Sequence, residues 1–272
     1  MTVRKTIFVT GGGSGIGRAI AQRFAREGWF VGLGDIDEEA MAETEALLPG
    51  GFIYCQRLDV SQRQEWDDAL RIVARASGGR IDVVANNAGI ALGGLLSEYA
   101  QEEIDRLLDV NLRGAIYGAQ AAYPWLKETA PGSCLLNTGS AAGFYGMPGQ
   151  SLYGAAKAGL RSLTESLDAE WVTDGIRVRS LMPGFIDTPL LYGAPNRSQQ
   201  GARIREGVVA AGLEFTPVEE VAEAAWQAVH GERLHHPIGK TARRMRFLSR
   251  WSPDALRRRA RQMAAAHERP VS

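Results

Sequence analysis

Tyr153 and Lys157 stand four residues apart in an amphipathic stretch, Leu152–Asp174, so a helix there sets a phenol and an amine on one face. A phenol titrates at about 10 and is a poor base at neutral pH. An ammonium one turn away stabilises the phenolate and equips the ring to pass a proton to and from a substrate oxygen. Ser140 lies thirteen residues before Tyr153, at the end of an apolar run, where its hydroxyl can hydrogen-bond a developing alkoxide. The same Tyr-x3-Lys spacing recurs at Tyr123–Lys127. There Pro124 disturbs the local helix, and the residue thirteen positions earlier is Val110, so this second pair reads as an amphipathic surface helix.

A second group of residues could hold a diphosphate. Thr10-Gly11-Gly12-Gly13-Ser14-Gly15-Ile16-Gly17 joins a strand-like run to a helix pattern. A sharp turn of this kind aims N–H groups at the positive end of a helix, where phosphate oxygens bind, and glycine admits the close approach. Gly12 to Gly17 also has the gap of a nucleotide-triphosphate loop, but Arg18 and Ala19 replace the Lys and Ser/Thr that such a loop requires. Asp35 follows Gly17 by eighteen residues at the end of a second strand, with Ile36 beside it. A carboxylate there accepts both adenosine ribose hydroxyls and repels a 2′-phosphate. With no Arg or Lys at 12–14 or at 36, the pattern favours NAD over NADP. The positive nicotinamide of NAD would add to the field of Lys157. Asn86-Asn87-Ala88-Gly89 ends another strand-like run with small residues past which a cofactor can lie. Asn111 interrupts an otherwise amphipathic helix, which signals a local hydrogen bond or exposure.

The elements that must position these groups alternate along the chain. Strand patterns cover 5–10, 29–34, 52–58, 81–85, 133–138 and 176–181, with 235–238 as a seventh candidate. Helix patterns cover 15–27, 37–47, 61–76 (with Ser61 as cap), 101–128 (bent or shortened at Pro124) and 152–174, and Pro217 opens another. Repeated β–α–β units give a parallel sheet with helices on both faces, and ligands bind beyond the carboxyl ends of its strands. Every motif above falls at such an end. The stretch Leu190–Phe215 is long and irregular, which predicts a mobile lid.

Together these residues resemble the short-chain dehydrogenase/reductase superfamily in its single-domain branch. The matches are Thr-Gly-x3-Gly-x-Gly at 10–17, Asp59, Asn-Asn-Ala-Gly at 86–89, Asn111, Ser140, Tyr153, Lys157, Pro183-Gly184 and Thr188, over about residues 4–238. The resemblance implies an α/β, Rossmann-type doubly wound parallel sheet of about seven strands, ordered 3-2-1-4-5-6-7. It implies that Tyr153 is the acid/base, Ser140 orients substrate and Lys157 anchors the nicotinamide ribose. Asn111 would hold a water that links Lys157 to solvent. Gly11, Ser14, Gly15, Ile16 and Gly17 would cradle the diphosphate, and Asp35 and Ile36 would take the adenosine ribose. Asp59 and Val60 would border the adenine, and Asn87, Ala88 and Gly89 the ribose side. Pro183, Gly184, Ile186 and Thr188 would meet the nicotinamide. Related chains are commonly homodimers or homotetramers paired through the helices at 101–128 and 152–174.

The expected substrate pocket is Ala91, Leu92, Ala141, Ala142, Phe144, Tyr145, Met147, Phe185, Leu190, Leu191 and Tyr192, largely apolar and with no Arg or Lys to grip an acid. It predicts a hydrophobic secondary alcohol or ketone. The alternative is a non-catalytic NAD-sensing protein on the same fold, but such proteins often lose Tyr or Lys, and both stand here.

The 272 residues, 45% apolar, suit one α/β domain, and a net charge of zero gives nucleic-acid binding no support. No apolar run is long enough to span a bilayer, no secretory leader opens the chain, and no metal-ligand spacing occurs. Cys55 and Cys134 read as buried, reduced thiols of a cytoplasmic protein. Residues 1–239 are expected to form the dinucleotide-binding catalytic domain and 240–272 a basic helical extension of it. That extension holds ten Lys/Arg against two acidic residues. It reads either as an interfacial helix on an anionic membrane or, preferably, as a solvated helix whose apolar side packs on its own domain or on a partner subunit.

Overall fold

The computed structural model describes residues 4–192, 204–210 and 212–267. Seven parallel strands form one sheet: β1 (Thr6–Thr10), β2 (Phe30–Asp35), β3 (Ile53–Arg57), β4 (Val83–Asn86), β5 (Cys134–Thr138), β6 (Arg177–Pro183) and β9 (His235–Ile238). Their order is β3-β2-β1-β4-β5-β6-β9, the expected winding, with β9 as the seventh strand. Sequential β–α–β crossovers place helices on both faces, so central strands are buried twice over and read as continuous apolar runs. β1 shows this. Ile7 and Val9 enter one core with Phe24 and Leu33 of the chain and Val221 and Ala225 of α8 (Val218–His230). Phe8, between them, enters the other with Trp66, Leu70, Val84 and Leu126. The helices on that second face are α3 (Arg63–Ala76), α5 (Gly114–Glu128) and α6 (Ser151–Trp171). Trp66 is fully buried, and its indole N–H donates to the Val60 carbonyl at 3.0 Å, so the large apolar gain costs no orphaned donor.

The first core holds α1 (Gly15–Arg26), and α2 (Glu38–Ala46) flanks the β2–β3 edge. α2 is capped by Asp37, whose carboxylate accepts from Ala40 N at 2.9 Å. Ser61 does not cap α3. Gln62 occupies that position, because the Asp59 carboxylate recruits both the backbone N–H and the hydroxyl of Ser61.

The expected helix over 101–128 is two helices, α4 (Gln101–Leu108) and α5, joined by one wide π turn at Asp109–Arg113. Pro124 does not end α5, which runs on to Glu128. It and Gln120, whose carbonyl it leaves without a donor, both lie on the solvent side, where water can serve. The expected lid lies partly within the described residues. β7 (Phe185–Ile186) pairs with β8 (Phe215–Thr216), and α7 (Ile204–Ala210) lies between them in sequence, while 193–203 and 211 fall outside the described residues. After β9 the chain forms α9 (Gly239–Trp251) and α10 (Pro253–His267). Cys134 is buried as expected, but Cys55 is only half-buried, because β3 is the sheet edge. Burial pushes both thiols up to about 12 and leaves them unreactive. Among the described residues no helix is long and apolar enough to cross a membrane.

Candidate active site

One cavity of about 1770 Å³ runs along the carboxyl ends of the strands. It exceeds the roughly 300–1,000 Å³ of an ordinary small-molecule site and has room for a dinucleotide together with a second ligand. At one end stand Asp35, Ile36, Asp59 and Val60; at the other, Ser140, Tyr153 and Lys157. Gly11, Ser14, Gly15, Ile16 and the run Asn87, Ala88, Gly89 lie between, faced by Pro183, Gly184, Ile186 and Thr188.

The glycine loop is shaped for a phosphate. Gly11 has φ +65, and a Cβ there would sit 3.0 Å from the Ala88 backbone. Ser14 does not cap α1 with its side chain, so the helix presents its first N–H groups toward the cavity. Gly17 serves differently from expectation. It does not line the cavity; a Cβ on it would lie 2.0 Å from the Gly11 carbonyl oxygen, so it lets α1 press against the loop. The Asp35 carboxylate accepts from Gly13 N at 2.9 Å and Asp37 N at 3.1 Å, which fixes it at the rim. Arg18, which the sequence pattern did not bring here, shares a small cleft with Asp35. Its guanidinium is occupied by the Gly13 carbonyl, Thr44 and Glu43.

A chain of hydrogen bonds ties the strand ends together. Lys157 Nζ donates to the Thr138 carbonyl at 2.9 Å, and Thr138 Oγ1 donates to Asn87 Oδ1 at 3.1 Å. Asn87 Nδ2 donates to the Thr10 carbonyl at 3.0 Å. The Asn111 side chain does not itself line the cavity. From the π turn its Oδ1 accepts from Ile90 N at 2.8 Å and its Nδ2 donates to Ile90 O at 2.7 Å. A Cβ on Gly89 would lie 3.1 Å from Asn111 Oδ1 and 3.7 Å from Lys157 Nζ, so both side chains converge beneath that glycine. Such π turns recur at functional sites because they turn one side chain out of the regular helical pattern.

Burial sets the charges. It holds the Lys157 ammonium down to about 8. It also pushes the Tyr153 hydroxyl above its usual value, while Ser140 draws it part of the way back. The sequence pattern predicted the opposite direction for the phenol. The Lys157 nitrogen lies 5.8 Å from the Tyr153 ring centre and is itself bonded to a carbonyl, and desolvation is the larger influence. Tyr123 and Lys127, read from the sequence as part of an amphipathic surface helix, both bind Asp174 in the structure.

Of the expected pocket residues, Ala91, Leu92, Ala141, Ala142, Met147, Phe185, Leu190 and Leu191 line the cavity. Phe144, Tyr145 and Tyr192 do not. A tight turn at Ala141–Gly143 packs on the Lys157 backbone and carries the chain past the wall before Phe144. The Tyr192 hydroxyl bonds Asp187, which also binds Arg205 of α7 at 3.0 Å. Thr188 lies against Gly15, where an added Cβ would meet it at 3.1 Å. The pocket's missed wall is the C-terminal extension: Arg244, Met245 and Leu248 of α9 and Leu256, Arg259 and Met263 of α10. Spacings of three and four between 241, 245 and 248 were the signal available for it. The expectation that no cation lines the pocket is thereby corrected.

A family model described as short chain dehydrogenase matches residues 5–198. The chain belongs to the short chain dehydrogenase family. Among its relatives, the 3-oxoacyl-[acyl-carrier-protein] reductase FabG of Thermotoga maritima is 36% identical over 204 residues, 74% of this chain and 82% of that one. Among solved structures, a short chain dehydrogenase/reductase from Burkholderia phymatum in complex with NAD superposes with a TM-score of 0.83 at 26% identity, over 94% of this chain and 95% of that one. An alcohol dehydrogenase from Thermococcus sibiricus, complexed with 5-hydroxy-NADP, gives 0.72 at 26% identity, over 86% and 94%. This short chain dehydrogenase thus shares its fold with proteins holding either nicotinamide coenzyme, and the glycine cradle of its own loop fits the diphosphate that both carry.

Proposed function

We propose that the chain is an NAD-dependent oxidoreductase that moves a hydride between NAD(H) and a hydrophobic secondary alcohol or ketone, with Tyr153 as general acid/base. The observation that carries this reading is that Ser140, Tyr153 and Lys157 line one end of a continuous cavity whose other end is Asp35. A bound nicotinamide supplies or takes the hydride. Tyr153 passes a proton to the carbonyl oxygen in one direction and takes it from the alcohol in the other. Ser140 donates to the same oxygen. Lys157, charged below pH about 8, favours the phenolate once substrate and coenzyme exclude water. Asn111 fixes the β4 loop through Ile90 and so positions Gly89 over Lys157.

NAD is the coenzyme of this reading, because a carboxylate at Asp35 would repel a 2′-phosphate and Arg18 is engaged by Gly13, Thr44 and Glu43. The apolar wall from Ala91, Ala142, Phe185 and Leu191 supports a hydrophobic substrate. We further read 1–239 as the catalytic unit, 240–272 as its helical extension, and the working protein as a cytoplasmic homodimer or homotetramer.

The test is NADH formation from a panel of apolar and acidic secondary alcohols, with NADP in parallel. Apolar alcohols turn over with NAD, and Tyr153→Phe lowers kcat by at least about a thousandfold while NADH still binds. Turnover confined to phosphorylated or carboxylated substrates would reject the substrate class. Equal turnover by Tyr153→Phe would remove the acid/base role, and NADH binding without turnover of any alcohol would favour a sensor.

A further inference from the structure

Phe247 and Trp251 are 62% and 69% exposed on α9. One turn apart, they share a helical face with Arg243, Arg246 and Arg250, and the Arg250 guanidinium lies 5.5 Å from the Trp251 ring. The opposite face already has its partner: Ala242 is buried, and Met245 and Leu248 join Leu256 of α10 in the cavity wall. The two aromatic rings are therefore not the side of the helix that packs on its own domain.

The charge around them is equally unmatched. On the catalytic domain Arg23 is paired with Glu27 and Glu223, and Arg179 with Asp168. Among the described residues Arg243, Arg246, Arg250, Arg257, Arg258 and Arg261 have no carboxylate partner. A cationic face studded with aromatics is complementary to a surface that is negative outside and apolar just beneath. A symmetric contact with a second copy would set this face against itself, cation on cation. We propose that the outer face of α9 and α10 docks on an anionic lipid bilayer, with Phe247 and Trp251 entering the headgroup layer and the arginines meeting lipid phosphates. The inner face of the same helices walls the cavity, so docking sets the substrate end of the site close to the lipid.

The test uses the full chain and sedimentation with vesicles of equimolar phosphatidylglycerol and phosphatidylcholine, against vesicles of phosphatidylcholine alone. The protein is expected to sediment with the anionic vesicles only, and to be released by salt. Phe247→Ser/Trp251→Ser and Arg243→Gln/Arg246→Gln/Arg250→Gln are each expected to weaken binding by roughly tenfold to a hundredfold. Because these side chains are exposed, thermal unfolding and NADH binding should be unchanged, which separates a lost surface from a lost fold. The proposal is overturned if the wild-type chain ignores anionic vesicles, if both vesicles bind it alike, or if the variants bind as tightly as the parent. It is likewise overturned if the aromatic variant dissociates an oligomer in the absence of lipid, or if a random DNA duplex binds more tightly than the vesicles.

Discussion

Burial acts on Tyr153 and Lys157 in opposite directions along the pH scale and toward the same end, disfavouring the charge of each. For Lys157 the consequence for stability has a definite sign. Its value is about 8 in the fold and 10.5 when exposed, so between those limits the unfolded chain binds more protons and stability rises with pH. Below pH 8 both states are protonated and the penalty is constant. The wild type is expected to gain on Lys157→Met by up to about 1.4 kcal/mol per pH unit across that window. Thermal unfolding from pH 8 to 10 measures it, and parallel curves would mean that water reaches the amine. The proposed contact of Asp35 with the coenzyme ribose predicts that Asp35→Ser lowers the NAD-to-NADP ratio of kcat/KM at least about tenfold, since one charge contact contributes a kcal/mol or more. Ser140, Tyr153 and Lys157, which the cavity brings to one end, were legible because each has a chemical type and a fixed local spacing. Arg18 was not, since what neutralises it, the Gly13 carbonyl together with Thr44 and Glu43 of α2, comes from the folded approach of α2.

The inner strands β1, β2, β4 and β5 were readable from apolar runs, because doubly buried parallel strands leave no doubt about which residues must avoid water, whereas the edge strands β3 and β9 are only partly buried and read less clearly. Two elements had no such signature. The π turn at Asp109–Arg113 changes hydrogen-bond register, which hydrophobic spacing does not encode, and only the out-of-place Asn111 hinted at it. The β7–β8 ribbon has two residues per strand and is formed by pairing Phe185 with Phe215, a contact that nothing local announces. The glycine loop carries the prediction at this scale. Gly17→Ala pushes a methyl into the Gly11 carbonyl, so α1 must move off β1. A loss of about 1–3 kcal/mol is expected by denaturant unfolding, with NADH affinity reduced together with it. Intact coenzyme binding in a destabilised variant would show that the loop can relax without α1.

Across the whole molecule, the cavity draws its walls from the middle of the chain, at Ala91 and Ala142, and from the C-terminal helices, at Leu248 and Leu256. Leu248→Asp is therefore expected to raise KM for an apolar alcohol roughly tenfold, with NADH affinity unchanged, because the carboxylate faces the far compartment only. Parallel titrations of alcohol and NADH check this, and equal losses for both would mean a general collapse. The extension was recognised in the sequence as basic and helical. That its inner side closes the site depends on where β9 delivers the chain, which composition does not record. The short strip from Ile186 to Tyr192 has the widest reach of all. Thr188 abuts the glycine loop at Gly15, and the neighbouring Asp187 is paired with Arg205 of α7. One short strip therefore ties that loop to α7 through a solvent-exposed ion pair, a tether that added salt would slacken.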